Sequence, residues 1–216
     1  MRQPVEGQRA VGRFITFEGG EGAGKSTQAR HLVAALKEAG IPVVSTREPG
    51  GTPGAERLRE LLLGGGFEWS PLAETMLHFA ARAEHVDRVV RPALLAGTWV
   101  VSDRYADSTM VYQGYGQGAD RDVIAALTEM LRLDPDLTVV LDVPVAASVA
   151  RLAGRGGDAD RYERLGAAFF ARVAEGFRAI AAADPARCVL VSGEGAEMEI
   201  AADILRVARA RLDLPA

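Results

Sequence analysis

Gly19-Gly20-Glu21-Gly22-Ala23-Gly24-Lys25-Ser26 fits G-x-x-x-x-G-K-[ST] at every fixed position. It stands between a short apolar run, Arg13 to Phe17, and a stretch of helical spacing over residues 26–39. A chain with this segment is committed to a strand, a tight turn and a helix, with the turn wrapped around a phosphate. The glycines let successive backbone N–H groups curl around an anion, and the helix N-terminus adds its dipole. Lys25 brings a positive charge to the β- and γ-phosphates, and the Ser26 hydroxyl suits Mg²⁺. The loop alone does not separate ATPases, GTPases and kinases, but no N-K-x-D guanine signature follows it.

The pattern downstream bounds the fold. Strands are expected at 13–17, 41–45, 98–102, 137–141 and 188–191, because each is a short, apolar, β-branched run. Helices are expected at 26–39, 55–63, 71–96 with a bend near Pro92, 120–133, 145–153, 162–183 and 197–212. Strands alternating with helices imply a parallel sheet covered on both faces. The expectation is one α/β domain over residues 13–214, with residues 1–12 a disordered tail and a Gly/Arg/Asp loop near 154–161.

Composition narrows the partners. A net charge of −4 and a pI near 5.5 argue against nucleic acid. No run of eighteen apolar residues suggests a membrane span, and residues 1–12 lack the apolar core of a signal peptide. Cys188 is the only cysteine, which excludes an intrachain disulfide and fits a reducing cytoplasm. It sits in an apolar run, as a buried inert thiol would.

Four further segments carry chemistry. Thr46-Arg47-Glu48-Pro49-Gly50-Gly51-Thr52 follows the second strand, and Phe79-Ala80-Ala81-Arg82-Ala83-Glu84-His85 lies on the long helix. Asp103-Arg104-Tyr105 follows the third strand and leads to Ser108, Thr109 and Tyr112-Gln113-Gly114, while Asp160-Arg161-Tyr162-Glu163 closes the arginine-bearing loop. Asp103 ends a strand next to the phosphate-loop strand, where open α/β sheets gather ligand groups. It can hold Mg²⁺ with Ser26, and Arg104 can clamp a transferring phosphoryl group. With these segments the chain resembles the bacterial thymidylate kinases, from about Gly12 to the last helix.

The resemblance implies a P-loop NTPase three-layer sandwich with a five-stranded parallel sheet and a short lid. It implies transfer of the ATP γ-phosphoryl to dTMP, with Mg²⁺, by a cytoplasmic homodimer. ATP falls to Gly19 through Thr27 and to Arg151. The acceptor falls to Glu21, Arg47, Pro49, His78, Phe79, Arg82, Arg104, Ser108, Thr109, Tyr112 and Gln113. In this assignment Arg47 meets the acceptor phosphate, Arg82 reads a ring carbonyl, and Tyr112 packs by the deoxyribose C2′. His78 stands where a base-stacking phenylalanine is usual, so either it or Phe79 covers the ring. Gly22 stands where one subclass has an arginine, which shifts that role to the lid. Arg155 and Arg161 are its candidates, beside Lys25, Asp103 and Arg104 as catalytic residues. The rivals are a P-loop kinase for another small acceptor, such as a deoxynucleoside, and an ATP-binding regulatory module.

Overall fold

The computed structural model describes residues 12–64, 66–154, 161–212 and 214. Five strands, β1 (Phe14–Glu18), β2 (Val43–Arg47), β3 (Trp99–Asp103), β4 (Leu137–Asp142) and β5 (Cys188–Ser192), form one all-parallel sheet in the order β2-β3-β1-β4-β5. The helices are α1 (Lys25–Glu38), α2 (Pro53–Leu63), α3 (Pro71–His85), α4 (Arg91–Leu95), α5 (Ala106–Thr109), α6 (Arg121–Leu131), α7 (Val145–Ala153), α8 (Gly166–Ala183) and α9 (Glu197–Leu212).

Alternation along the strands assigns the layers. Ile15, Val101 and Val139 point into a core with Leu32 and Leu36 of α1 and Ile200 and Ile204 of α9. Their neighbours Phe14 and Val100 point the other way, onto Val86, Val90 and Leu94. Val140 also points that way and meets Phe169, Val173 and Phe177 of α8. Central strands buried on both faces explain why β1, β3 and β4 read as continuous apolar runs. The sheet is thus the middle of three layers, as expected.

Three departures from the sequence expectation have a clear physical cause. β2 begins at Val43 rather than 41, because Pro42 has no N–H for the ladder and contributes only its carbonyl, which accepts from Trp99 N. The helix expected over 71–96 is divided by a wide i→i+5 turn, Val86–Val90, before Pro92 enters α4. Proline lacks the donor that would continue the regular pattern, and the widened turn absorbs the mismatch. The helix expected from 162 starts at Gly166, whose φ of 79° sets off the preceding short 3₁₀ turn, Glu163–Leu165. Residues 1–11 of the expected tail lie outside the described residues, but Gly12 belongs to the fold. Its N–H donates to Leu94 O, and a Cβ there would lie 2.1 Å from Thr98 O.

The order of the strands matters for function. From β1 the chain moves to one side for β2 and β3 and then to the other for β4 and β5, so β1 is the switch point. The crevice outside its carboxyl end is where this topology collects ligands. Leu36 supports α1 beneath that crevice and is 1% exposed. Leu36→Ala should destabilise the protein by about 2–5 kcal/mol. Urea unfolding should show a lower midpoint at an unchanged slope.

Candidate active site

The turn from β1 to α1 has the shape its glycines permit. Gly19, Gly22 and Gly24 have φ of 137°, 70° and 93°, in the region L side chains rarely occupy. A Cβ at Gly22 would also approach Ser148 O to 2.8 Å. Gly24 is the residue before α1, which has no side-chain cap on its first N–H groups. An uncapped N-terminus facing a crevice suits an anion. Lys25 is buried, and Nζ donates to Gly20 O at 2.7 Å. Burial and the nearby Arg104 push its ammonium pKa down to about 8. Ser26 Oγ donates to Asp103 Oδ2. These two hard oxygens beside Lys25 fit a divalent ion such as Mg²⁺. Thr27 occupies the next position on α1. Arg151 reaches from α7 to Gly22 O at 3.4 Å and Gly193 O at 2.9 Å, across the loop's outer side.

Register brings Asp103 and Arg104 to the same place. Phe17 pairs with Asp103, and Arg104 N donates to Phe17 O at 2.9 Å. Arg104 has a φ of 73°, which is costly for a side chain with a Cβ and is therefore held from several directions. Glu18, fully buried, accepts from Tyr105 N at 2.7 Å and from Ser108 Oγ at 2.5 Å. The Arg104 guanidinium then donates to Ser108 Oγ, Tyr112 OH and Glu21 Oε1 at 3.0, 3.0 and 2.5 Å. Burial opposes its charge, but Glu21, Tyr112 and Asp103 outweigh that and hold it protonated.

Arg104 opens onto a cavity lined by Glu21, Pro49, His78, Arg82, Thr109 and Gln113, among others. Arg82 is 2% exposed and donates Nε to Glu48 Oε2 at 2.6 Å and Nη2 to Tyr105 O and Thr109 Oγ1, both at 3.0 Å. Its Nη1 is buried without a partner. The His78 ring lies 3.0 Å from Tyr162 OH through Nε2, and burial with Arg82 and Arg104 nearby pushes its pKa down to about 3. The ring is neutral at working pH. Gln113 Nε2 donates to Glu74 Oε1 at 2.8 Å, and its Oε1 has no partner. A second, polar recess joins Lys25, Ser26, Arg47, Arg59, Asp103 and Arg104, and shares Glu21, Glu48, Arg59 and Arg104 with the first.

The expected residues therefore converge, with two exceptions and one outside the description. Phe79 is buried but does not line the cavity. His78 and Arg82 are four residues apart and share a helix face, whereas Phe79 is turned about 100° away. It packs instead under Arg82, with Cζ 4.7 Å from the ring centroid. Arg161 lines neither recess and is paired with a buried carboxylate. Nη1 lies 2.6 Å from Oε2 of the fully buried Glu74, in contact as charges though not aligned as a hydrogen bond. Of the partners expected for it, Asp160 and the Glu163 side chain lie outside the described residues. Arg155 and most of the expected lid lie outside the described residues. Arg47 is more than half exposed and pairs with Glu56 at 3.2 Å.

Sequence reasoning passed over Arg59, Glu18, Glu48, Glu74, Tyr105 and Tyr162 as site residues. Arg59 and Glu74 look like solvated helix charges from sequence, and only the packing of α2 on α3 reveals otherwise. Glu48 and Tyr162 stood inside the motif segments themselves, which was a signal available in the sequence.

Known proteins of one family resemble this chain over most of its length. The thymidylate kinase family model matches residues 17–204. Thymidylate kinase of Gluconobacter oxydans is 50% identical over 200 residues, covering 90% of this chain and 93% of the relative. That of Caulobacter vibrioides is 48% identical over 206 residues, covering 94% and 99%. A crystal structure of thymidylate kinase from Ehrlichia chaffeensis superposes with a TM-score of 0.75 at 34% identity, covering 91% of this chain and 98% of that one. With the phosphate loop, the Asp103-Arg104 turn and the Arg82 cavity meeting at one sheet edge, the chain belongs to the thymidylate kinase family, whose members use ATP to phosphorylate dTMP to dTDP for dTTP synthesis.

Proposed function

We propose that the crevice divides this reaction between its two recesses. ATP phosphates lie along the Gly19–Thr27 loop with Lys25 on the β- and γ-groups, and Arg151 covers the nucleotide from α7. Ser26 and Asp103 hold Mg²⁺, which when bound neutralises charge on the phosphate oxygens. Arg47 and the neighbouring Arg59 take the acceptor phosphate, and Pro49 with the glycines after it shapes that loop. Gly51 has a φ of 85°, and a Cβ there would meet the His85 ring at 2.5 Å, which supports the need for glycine.

The base and sugar occupy the cavity. The observation that carries this reading is Arg82 Nη1, a buried charged donor without a partner in its wall. A carbonyl oxygen of thymine satisfies it, whereas the amino group of cytosine offers no acceptor. The neutral His78 ring supplies the flat face, and Ser108, Thr109, Tyr112 and Gln113 complete the polar wall. Arg104, beside Glu21, is positioned to span donor and acceptor phosphates.

The acceptor phosphate is already an anionic nucleophile, so no strong general base is required. Its oxygen forms the new P–O bond as the bond from the γ-phosphorus to ADP breaks. Catalysis then rests on alignment and charge neutralisation. With Arg161 held by Glu74, the lid contribution falls to Arg155, which we assign on the family resemblance alone. The same resemblance supports a cytoplasmic homodimer. Leu72 and Met76, one turn apart on α3 and 53% and 49% exposed, supply an apolar face for it. Among the described residues no helix is long and apolar enough to cross a membrane.

Acceptor preference tests the reading. Assays of ADP formation across monophosphates should rank dTMP first and dUMP next, since the thymine methyl contributes only about 0.8 kcal/mol of burial. dCMP and dGMP should follow well behind, and preference for a purine or an unphosphorylated nucleoside would contradict the assignment. Lys25 makes a second prediction. Its ammonium, with a pKa near 8 in the free protein, must be protonated to hold phosphate, so binding above that pH takes up a proton. The Kd for ATP should be flat from about pH 7 to 8 and then climb toward about tenfold per pH unit, while Lys25→Arg should remove the climb.

A further inference from the structure

The acceptor loop sends one charge inward. Glu48 is 3% exposed, and its two carboxylate oxygens serve two different parts of the site. Oε2 accepts from Arg82 Nε at 2.6 Å, and Oε1 lies 2.8 Å from His85 Nδ1. The other nitrogen of that ring, Nε2, lies 2.7 Å from Thr46 Oγ1, and the ring edge fills the space a Cβ on Gly51 would need. One carboxylate thus joins the arginine in the base cavity to the loop beside the acceptor phosphate.

The consequence for Arg82 follows from the guanidinium's shape. It is a rigid planar fork, so fixing two of its nitrogens fixes where the third points. Glu48 holds Nε, while Tyr105 O and Thr109 Oγ1 hold Nη2. Nη1 remains, buried and without a partner. Were Nε released, the head could rotate about its side-chain bonds and place a donor at other angles, or retract from the amino group of a bound cytosine.

We propose that Glu48 is a specificity-positioning residue: it aims Arg82 Nη1 at the pyrimidine edge and, through His85, keeps that aim in register with the acceptor-phosphate loop. The inference rests on the reading that Arg82 meets a ring carbonyl. It differs from a structural role, in which Glu48 only neutralises a buried cation. Loss of a structural role would depress turnover of every acceptor alike.

The experiment compares kcat and KM for dTMP and dCMP in four proteins: wild type, Glu48→Gln, Arg82→Met and the double variant. Glu48→Gln should lower the dTMP-to-dCMP ratio of kcat/KM by about tenfold or more, the scale of a lost hydrogen bond to a charged group. It should do so mainly by raising KM for dTMP. In the Arg82→Met background the same change should move the ratio by less than about twofold, because the arginine it acts through is gone. If thermal melting shows Glu48→Gln unfolded, Glu48→Asp serves in its place. It keeps the charge but withdraws the carboxylate by one methylene, and the ratio should fall in the same direction. A wild-type preference that survives either Glu48 variant overturns this inference alone. A wild type without preference for dTMP over dCMP overturns the base reading and the inference with it.

Discussion

The pairing of β1 with β3 is the constraint on which the site depends. Phe17 sits opposite Asp103, so the phosphate loop and the Asp103-Arg104 turn leave adjacent strand ends at the same level. A slip of one residue would turn Asp103 to the other face and carry Arg104 out of reach of Glu21. The register is itself fixed from below, because Phe14, Ile15, Val100 and Val101 each have a buried place on one or the other side of the sheet. The hydrophobic pattern of two short strands thus sets the separation between the phosphate loop and the Asp103-Arg104 turn. Chemistry at the top of the sheet is positioned by packing in its middle.

Around that edge, buried carboxylates do much of the orienting. Glu18 secures the Tyr105 N–H and Ser108, and so the turn at Arg104. Glu48 holds Arg82 and His85, and Glu74 gathers Gln113, Tyr162 and Arg161. Each costs desolvation, which converging donors offset in part; at Glu18 burial still pushes the carboxyl pKa up to about 8. The arrangement suits an enzyme whose substrates are all anions. Cations must be present in number, and they must be kept from collapsing onto one another before a phosphate arrives. Acidic partners placed behind or beside the arginines achieve both.

Much of this was legible in the sequence, because some features are local. The phosphate loop needs glycines at particular φ and a following lysine, and these occur in consecutive residues. The parallel sheet follows from strands too apolar to face water on either side. Other features depend on contacts between distant segments. Nothing near Glu74 in sequence announces that Gln113, Tyr162 and Arg161 will meet it, so Arg161 read as a candidate for catalysis rather than as an anchored side chain. Phe79 and His78 are both rings, and sequence alone does not separate them. Only the helix face distinguishes them, and that face is shared with Arg82. At Val86–Val90 the sequence predicts only a bend, since Pro92 signals a disruption without saying which hydrogen-bond pattern absorbs it.

In the proposed reaction one sheet edge aligns a pyrimidine, two phosphate groups and a metal through residues already in place. A crystal structure with dTMP, Mg²⁺ and a non-hydrolysable ATP analogue measures this most directly. A thymine carbonyl should lie within about 3 Å of Arg82 Nη1, a hydrogen-bonding distance. The His78 ring should lie against the base and Arg104 between the two nucleotides' phosphates. A base seated elsewhere, or one approached by Arg82 only after Glu48 and the strand-end residues had rearranged, would contradict it.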